Sequence, residues 1–350
     1  MKKLISLSLA LMLLLSVLAL PAMADEAQKK TCGVLSYLNI SEADETDFVA
    51  IRRPMLKLLA LYGVLVPKND TLLNDTPVES RFYDSRNSLL LALDSGEVKV
   101  IKVPYYTARY FCSANDNMMM TADYYPEKAT GIAAWALSLF SDGYSFMLKA
   151  ENTELRDAFD AQIAAMKEDG TLQKLIDEYI VKASEGEEPV AVAFEQFEGD
   201  PIKVGVSGDL PPMDYVGADV SFAGFNTAVL AEIGKRLQKN IELVQVENVG
   251  RSLALSEGRV DVVFWTRAMS ESYANLRREQ GTLTAEEWAA RMVKILENMT
   301  EEERAILEGG KILDAESKAK IDSRDMPADT IITQPYFTDF TVMVRLKETK

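Results

Sequence analysis

The chain has 350 residues, with 54 acidic against 38 basic side chains and a net charge of -16. Such acidity disfavours a surface that binds nucleic acid or an anionic membrane. The sequence contains no histidine, which excludes Ser-His-Asp and Cys-His catalysis as well as zinc sites that use histidine. A hydrophobic fraction of 48% indicates folded domains rather than disorder.

The first residues have the layout of a cleaved secretory signal, which we predict over residues 1–24. Lys2 and Lys3 precede an apolar run that ends at Leu20, and Ala22 to Ala24 supply the small residues of a cleavage site. The alternative is a retained membrane anchor, since the run approaches the roughly 18 residues that a span requires. We favour the signal because the cleavage site is well placed, and we expect a mature protein in the periplasm.

The first half of the chain alternates strand and helix patterns. An apolar strand, "CGVLSYLNI", begins at residue 32. From residue 85, "SRNSLLLALDSGEVKVIKV" predicts a helix that ends at Ser95-Gly96, followed by an alternating strand. Residues 144–180 predict a strand and two amphipathic helices. The acidic segment 183–201 is then predicted to be a linker or a crossover strand to the second half.

Two cysteines, Cys32 and Cys112, lie beyond the predicted cleavage site. In an exported chain an even number of cysteines often forms disulfides. Two separate buried thiols are the alternative, and both interpretations stay open because sequence does not supply the geometry of a bridge.

The second half repeats the order of the first. The strand "IKVGVS" begins at residue 202, followed by the helix "FNTAVLAEIGKRLQKN", the strand "IELVQVE" and, from residue 250, "GRSLALSEGRVDVVFWTR". The segments "LLLALDSGEVKVIKV" and "SLALSEGRVDVVFW" share one pattern of a leucine-rich helix, a glycine-containing cap and a buried strand. This match predicts two α/β units of related design.

Residues 271–325 differ in kind from the rest of the chain. They are helical in pattern and highly charged, with N-cap signals at Thr284 and Thr300 and a glutamate three residues after each. We interpret them as a solvated helical insertion. A surface that docks a partner is the alternative.

These motifs resemble the family 3 extracellular solute-binding proteins, the amino-acid receptors of ABC importers. "IKVGVSGDLPPMDYVGADVSFAGFNTAVLAEIGKRL" is similar to that family's first strand, Pro-Pro-aromatic loop and Gly-Phe helix, and "LALSEGRVDVVFWTR" to its ligand-contacting Thr/Arg segment. "TQPYFTDFTVMVRLK", from residue 333, resembles the strand that leaves lobe 1 for lobe 2. The resemblance implies an α/β protein of two lobes with the type 2 periplasmic-binding-protein fold, also called the Venus flytrap fold, and with a helical insertion in lobe 1.

The matched pieces occur in an unusual order, because those that resemble lobe 2 come first. A circular permutation explains this order, and two truncated tandem copies are the competing account. The expected domains are a signal peptide (1–24), a lobe 2-like domain (31–142), a strand and helices returning to lobe 1 (143–182), an acidic linker (183–201) and a lobe 1-like domain (202–350) that contains the insertion 271–325.

The resemblance also implies a ligand site. Arg267 would hold a ligand carboxylate through paired hydrogen bonds, with Thr266 beside it, although Arg277 or Arg278 could take its place. Asp209 would face an ammonium group. The remaining expected contacts are Met213, Tyr215 and Trp265 in lobe 1, and Asn39, Ser41, Tyr105 and Tyr106 in lobe 2.

The function that the resemblance implies is capture of a small polar solute, an amino acid or related carboxylate, and its delivery to an ABC transporter permease. We expect a monomer without cofactor, metal or nucleic acid. The alternatives are a periplasmic enzyme on the same fold, similar to cyclohexadienyl dehydratases, and a component of a ligand-sensing receptor. An enzyme would need a poised acid or base, and no second carboxylate stands in a fixed relation to Asp209 or Asp214.

Overall fold

The computed structural model describes residues 30–35, 55–68, 78–130, 133–134, 136–137, 141–187, 191–217, 221–247, 250–269, 297, 299–308 and 327–347. The strands are β1 (Lys30–Leu35), β2 (Leu65–Pro67), β3 (Val78–Tyr83), β4 (Val100–Pro104), β5 (Met118–Met120), β6 (Ala122–Tyr124), β7 (Ser141–Lys149), β8 (Ile202–Val206), β9 (Asp209–Leu210), β10 (Asp214–Val216), β11 (Phe222–Ala223), β12 (Ile241–Gln245), β13 (Val262–Met269), β14 (Thr330–Ile332) and β15 (Phe337–Leu346). The α-helices are α1 (55–61), α2 (Arg86–Asp94), α3 (Tyr105–Ala114), α4 (Thr153–Glu168), α5 (Thr171–Ile176), α6 (Lys182–Ser184), α7 (Phe225–Leu237), α8 (Arg251–Ser256) and α9 (Glu301–Glu308).

Ten strands in the described part of the chain form one sheet whose two halves have the same order. One half runs β12-β8-β13-β7, with β14 beyond β7, and the other runs β3-β1-β4-β15, with β5 beyond β15. Each half has three parallel strands and one antiparallel strand that follows the third. The expected two-lobed α/β fold is therefore confirmed. We keep the name lobe 1 for the half that contains β8 and lobe 2 for the half that contains β1.

Each lobe receives its antiparallel strand from the other half of the chain. β7 follows the lobe 2 elements in sequence, yet it lies in lobe 1 between β13 and β14. β15 pairs with β7 through Phe337–Phe340 and then with β4 through Thr341–Val344. β15 thus runs from one lobe into the other, and it joins the two halves of the sheet.

Aromatic side chains pack where β15 passes from β7 to β4, a region of Phe337–Thr341 that we call the crossing. The ring of Tyr336 stacks on Phe146 of lobe 1 with centroids 4.7 Å apart, and the ring of Phe340 stacks on Tyr105 of lobe 2 at 4.9 Å. Between them, Phe337 contacts rings from both lobes. Aromatic pairs of this kind stabilise the folded state by more than the burial of their surface area alone would. The connection between the lobes is therefore part of the hydrophobic core.

The repeated pattern found in the sequence gives the same local structure in both lobes. In α2, Leu89, Ala92 and Leu93 are buried, and in α8 the corresponding Ala254 and Leu255 are buried. Each helix is followed by a glycine with positive φ, 76° at Gly96 and 71° at Gly258, a conformation that side chains disfavour. The prediction of two related α/β units is consistent with this match. Leu91 and Leu253, at equivalent positions, are 69% and 56% exposed.

The described part of the expected insertion contacts lobe 2. The capping box predicted at Thr300 is present, since Thr300 and Glu303 exchange hydrogen bonds between side chain and backbone at the start of α9. Glu303 and Met299 are buried, and Glu303 accepts a hydrogen bond from the Tyr62 hydroxyl, just after α1. This hydrogen bond raises the pKa of Tyr62. The helix α9 of the expected solvated insertion thus contacts lobe 2 through one face, and four of its residues, 301, 302, 304 and 305, are exposed. Thr284 lies outside the described residues.

The segment 191–201 has no regular secondary structure, yet it is fixed to lobe 1. The Asn240 side chain accepts a hydrogen bond from the Phe197 N–H at 2.7 Å and donates to the carbonyl groups of Phe197 and Gly199. Glu195 forms a 3.2 Å ion pair with Lys235 of α7. The segment thus leads along lobe 1 to the start of β8.

Two further features bear on expectations from the sequence. Cys32 is buried in β1 and Cys112 is half-buried in α3, and both are free thiols, which contradicts a disulfide between them. No helix among the described residues is both long and apolar enough to cross a membrane.

The first and last strands of the described chain lie near each other, which allows a test of the topology. Gly33 of β1 and Val344 of β15 both lie beside Ile101 of β4, so two strand spacings, about 10 Å, separate them. A reordered chain that starts at Asp200 and joins Lys347 to Lys30 through a short Gly-Ser linker should therefore fold. We expect its free energy of unfolding, measured with denaturant, to lie within about 2 kcal/mol of that of residues 30–347.

A chain of the same length that is opened inside α4, after Asp160, serves as the control. It should be much less stable, because the cut interrupts a helix whose Phe159 and Ile163 are buried. Failure of the chain that starts at Asp200 to fold cooperatively would contradict the proximity of β1 and β15.

Candidate functional site

The loop after β8 is held by a buried carboxyl group. Asp214 is 3% exposed, and its Oδ2 accepts hydrogen bonds from the Ser207 N–H at 3.0 Å and the Ser207 hydroxyl at 3.1 Å. Burial raises the pKa of Asp214. These hydrogen bonds join the first residue of the loop 207–214 to its last residue and restrict the conformation of the loop.

The loop is also fixed to the first turn of α7. The N–H groups of Phe225 and Asn226 donate to the carbonyl groups of Pro212 and Met213, at 3.0 and 2.8 Å. Gly224 precedes the helix with φ 103° and ψ 175°, and a Cβ atom there would lie 2.7 Å from the Met213 carbonyl oxygen. Only glycine fits this conformation and this close approach.

The predicted site residues of this loop have different surroundings. Met213 is fully buried in the hydrophobic core, and Tyr215 is 8% exposed in β10, in register with Asp209 of β9. Asp209 points away from lobe 1. Its Oδ2 accepts a hydrogen bond from the N–H of Arg86, the first residue of α2 in lobe 2, at 2.7 Å. The Arg86 Nε lies 3.7 Å from Asp209 Oδ1.

The predicted carboxylate-binding segment belongs to β13. Trp265 pairs with Ser145 of β7, and Ala268 pairs with Gly143, with a register shift between the two pairs. Thr266 and Arg267 therefore lie in an irregular step of the strand, a feature that often marks functional sites. β13 continues to Met269, so Arg267 lies within the strand rather than at its end. The side chains of Trp265, Thr266 and Arg267, with Arg277 and Arg278, lie outside the described part.

In lobe 2, Tyr105 and Tyr106 form the first turn of α3. Their rings contact each other edge to face with centroids 5.1 Å apart, and the Arg109 guanidinium lies 5.9 Å from the centroid of Tyr105. Burial raises the pKa of both tyrosines. The two rings thus lie at the crossing between the lobes, as an aromatic wall would. Asn39 and Ser41 lie outside the described residues.

A buried carboxyl group of β15 lies beside these tyrosines. Asp339 is 4% exposed, and its two oxygens accept hydrogen bonds from the N–H of Tyr106 at 3.1 Å and from its neighbour Phe340 at 2.8 Å. It is in register with Asp142 of β7. Burial above all raises the pKa of Asp339 to about 8, and the charge of Asp142 adds to this effect. Asp339 therefore holds a proton more readily than an ordinary aspartate.

Sequence reasoning missed Arg86, Asp339 and Arg251 as members of this region. Arg251, the first residue of α8, is 5% exposed and donates to the Phe264 carbonyl group at 2.9 Å. An acid within the apolar strand "FTDFTVMV" was the one signal that pointed to Asp339. The contacts themselves join residues far apart in sequence, so no local pattern could reveal them.

The described residues provide groups for polar recognition. They include the aromatic rings of α3 and β15. The N–H groups of Arg86 and Tyr106, at the starts of two helices, already donate to Asp209 and Asp339. No cluster of three or more His, Cys, Asp or Glu side chains within the described ranges is placed to hold a metal ion.

Residues 202–280 match the family model of bacterial extracellular solute-binding proteins, family 3. The match begins with β8 and includes the loop that carries Asp209, together with α7, α8 and β13. The resemblance found in the sequence is therefore confirmed for this part of the chain. Comparison with curated proteins found no matching sequence.

Several solved structures of ligand-binding domains are similar to this one. The GluR0 ligand-binding core in complex with L-glutamate is 10% identical, with 93% of this chain and 87% of that chain covered and a TM-score of 0.35. The BvgS VFT2 domain of Bordetella pertussis is 13% identical, with 93% and 82% covered and a TM-score of 0.33.

The ligand-binding component of an ABC-type import system from Staphylococcus aureus, with zinc bound, is 13% identical, with 68% of this chain and 54% of that chain covered and a TM-score of 0.32. The chain thus spans about half the length of that relative.

The close approach at Gly224 predicts a specific effect of adding one methyl group. Gly224→Ala should lower the free energy of unfolding by roughly 2 kcal/mol more than Gly170→Ala, measured by denaturant unfolding. Both glycines have positive φ, but a Cβ atom at Gly170 would meet nothing within 4 Å. Equal losses in the two variants would show that the Met213 backbone moves away without cost.

The buried Asp339 predicts a pH dependence of stability. Between about pH 4 and 8 the unfolded chain loses the Asp339 proton and the folded chain keeps it, so the free energy of unfolding falls as pH rises. The ideal slope is about 1.4 kcal/mol per pH unit, and it should end above about pH 8. Asp339→Asn removes this contribution, so the variant should gain stability relative to the parent as pH rises from 5 to 8.

Denaturant unfolding at pH 5, 6, 7 and 8 measures the difference between variant and parent. Asp94→Asn, at an exposed position of α2, is the matched control, and its difference from the parent should not show the same rise. A pH-independent difference for Asp339→Asn would contradict the raised pKa of Asp339.

Proposed function

We propose, from the family 3 match of residues 202–280, that this chain is an extracytoplasmic solute-binding protein. It captures a small polar solute, an amino acid or related carboxylate, between its lobes and delivers it to an ABC importer. The observation that carries the proposal is that the family-matched loop faces the opposite lobe, through the contact of Asp209 with Arg86. This contact supports a role of the loop in lining the proposed cleft between the lobes.

The strand order supports binding by lobe closure. β7 and β15 are the connections that pass between the lobes in the described chain, and they pair at the crossing. Two domains joined by adjacent strands can close around a ligand by bending at those strands. We propose that the protein acts as a monomer in the periplasm, with the expected signal peptide at 1–24.

We also propose that the chain is circularly permuted, with the domain boundaries expected from the sequence. The family-matched strand β8 follows the lobe 2 elements, and the segment 191–201 leads to it along lobe 1. The neighbouring positions of β1 and β15 support this proposal, because a permutation requires that the joined ends of the usual chain lie close together.

Within the site, we propose that Arg267 binds a ligand carboxylate, with Thr266 beside it. Its position in β13, one residue before the Ala268–Gly143 pair, supports this role, because Gly143 also pairs with Thr338 of β15. Trp265, Tyr105 and Tyr106 would contact the apolar part of the ligand. We propose no catalytic residue and no cofactor.

A thermal-shift screen tests the proposed function. The mature chain should be stabilised by at least one member of a panel of amino acids, small peptides and dicarboxylates, with a melting temperature that rises with solute concentration, because the solute binds the folded state alone. Chemical analysis should recover that solute unaltered. A stabilising solute that is consumed in proportion to protein concentration would favour an enzyme instead, and no shift with any solute would oppose the proposal.

The role of Arg267 is tested with the solute that stabilises most. Arg267→Ala should weaken its binding about 100-fold by calorimetry and leave the circular dichroism spectrum unchanged, since a charge-assisted contact to a buried carboxylate is lost. Arg277→Ala and Arg278→Ala are the matched controls and should bind normally. If either control loses binding and Arg267→Ala does not, the carboxylate contact belongs to that arginine.

A further inference from the structure

The contact between Asp209 and Arg86 joins two lobes at residues 123 positions apart in sequence. On the lobe 2 side, Ser85 caps α2 by accepting the Ser88 N–H, so the cap leaves the Arg86 N–H unused. The first N–H groups of a helix have no partner within the helix, and the positive end of the helix dipole favours an anion there. The Asp209 carboxylate satisfies one of these groups from the opposite lobe.

Both residues of the contact are held rigidly within their own lobes, so neither can move to keep the hydrogen bond if the lobes separate. α2 is fixed to lobe 2 by its buried Leu89, Ala92 and Leu93 and by the capping box of Ser85 and Ser88. Asp209 is fixed to lobe 1, because β9 pairs with β10 and the loop is closed by Asp214. A hydrogen bond of 2.7 Å between two rigid elements therefore exists only when the lobes are as close as they are here.

We propose that Asp209 and the N-terminus of α2 form a latch that stabilises the closed arrangement of the lobes before any solute is bound. The proposal rests on the proposed function, since closure matters only for a protein that captures a solute between its lobes. It assigns Asp209 a conformational role instead of contact with a ligand ammonium group.

The latch has a thermodynamic consequence for binding. An interaction present in one of two conformations raises the population of that conformation, whatever else the protein binds. A solute that binds the closed form gains apparent affinity in proportion to the population of that form. The latch would thus keep part of the ligand-free protein in the closed conformation, the one that binds the solute.

The geometry predicts which substitutions matter most. Asp209→Ala removes the acceptor and its charge, so it should lower the ratio of closed to open protein about tenfold, as expected for a hydrogen bond to a charged group. Arg86→Ala keeps the backbone N–H and removes only the guanidinium, which lies 3.7 Å from the carboxylate and is partly exposed. Its effect should be about twofold, as is usual for exposed ion pairs.

The ratio can be measured by pulsed electron spin resonance on the ligand-free mature chain. Nitroxide labels on Leu91→Cys and Leu253→Cys report on α2 of lobe 2 and α8 of lobe 1, at positions that are 69% and 56% exposed. Cys112→Ala removes the half-buried thiol, and Cys32 is fully buried. The closed population is the one whose label distance matches this structure.

The expected result is a closed population in the parent that falls about tenfold relative to the open one in Asp209→Ala. Asp123→Ala is the matched control, because it breaks the 2.7 Å ion pair with Lys68 inside lobe 2 and should not change the distribution. A parent without a closed population, or the same distribution in the parent and Asp209→Ala, would overturn the latch.

A melting curve of each variant confirms that the fold is retained, and Asp209→Asn provides a second variant if Asp209→Ala does not fold. Asn keeps an acceptor without the charge, so its effect should lie between those of Arg86→Ala and Asp209→Ala. The measurement needs no solute. Its failure is therefore distinct from failure of the proposed function, which appears as the absence of any thermal shift with the solute panel.

Discussion

The antiparallel pairing of β7 with β15 is the constraint on which the rest of the structure depends. Each strand belongs by sequence to one half of the chain and by pairing to the sheet of the other half. A strand cannot slip by one residue without turning its buried side chains outward, so this register fixes one lobe against the other. The aromatic rings of Tyr336, Phe337 and Phe340 fill the crossing and oppose sliding.

The same crossing brings polar groups into an apolar environment. Asp339 is buried opposite Asp142, and its carboxyl group receives the Tyr106 N–H from the first turn of α3. Burial of a carboxyl group with raised pKa costs stability at neutral pH, and such groups occur often at functional sites. The first turn of α3 is thereby attached to the strand that both lobes share. A displacement of β15 at Asp339 would therefore also displace Tyr105 and Tyr106.

Local patterns predicted much of the fold. The helix α2, the capping box at Thr300 and the glycines that end α2 and α8 follow from spacing and cap chemistry, which act within a few residues. The exchange of β7 and β15 between lobes depends on pairing between distant segments, and the family resemblance, not periodicity, suggested it. The burial of Met213 and the contacts of Asp209 and Asp339 depend on that pairing as well. They could not be predicted from residue type alone.

Contacts between the lobes outside the crossing decide how far apart the lobes lie. Asp209 reaches the N-terminus of α2, and Glu303 of α9, which lies between two lobe 1 strands in sequence, reaches Tyr62 of lobe 2. The Asp209 contact joins a carboxylate to a backbone N–H group at a partly exposed position, and a hydrogen bond to a charged group contributes about 1.5 kcal/mol. Opening of the lobes, as proposed above, would break the contact of Asp209 with α2. A contact of this strength is compatible with the proposed opening and closing of the lobes, whereas a much stronger one would keep them together.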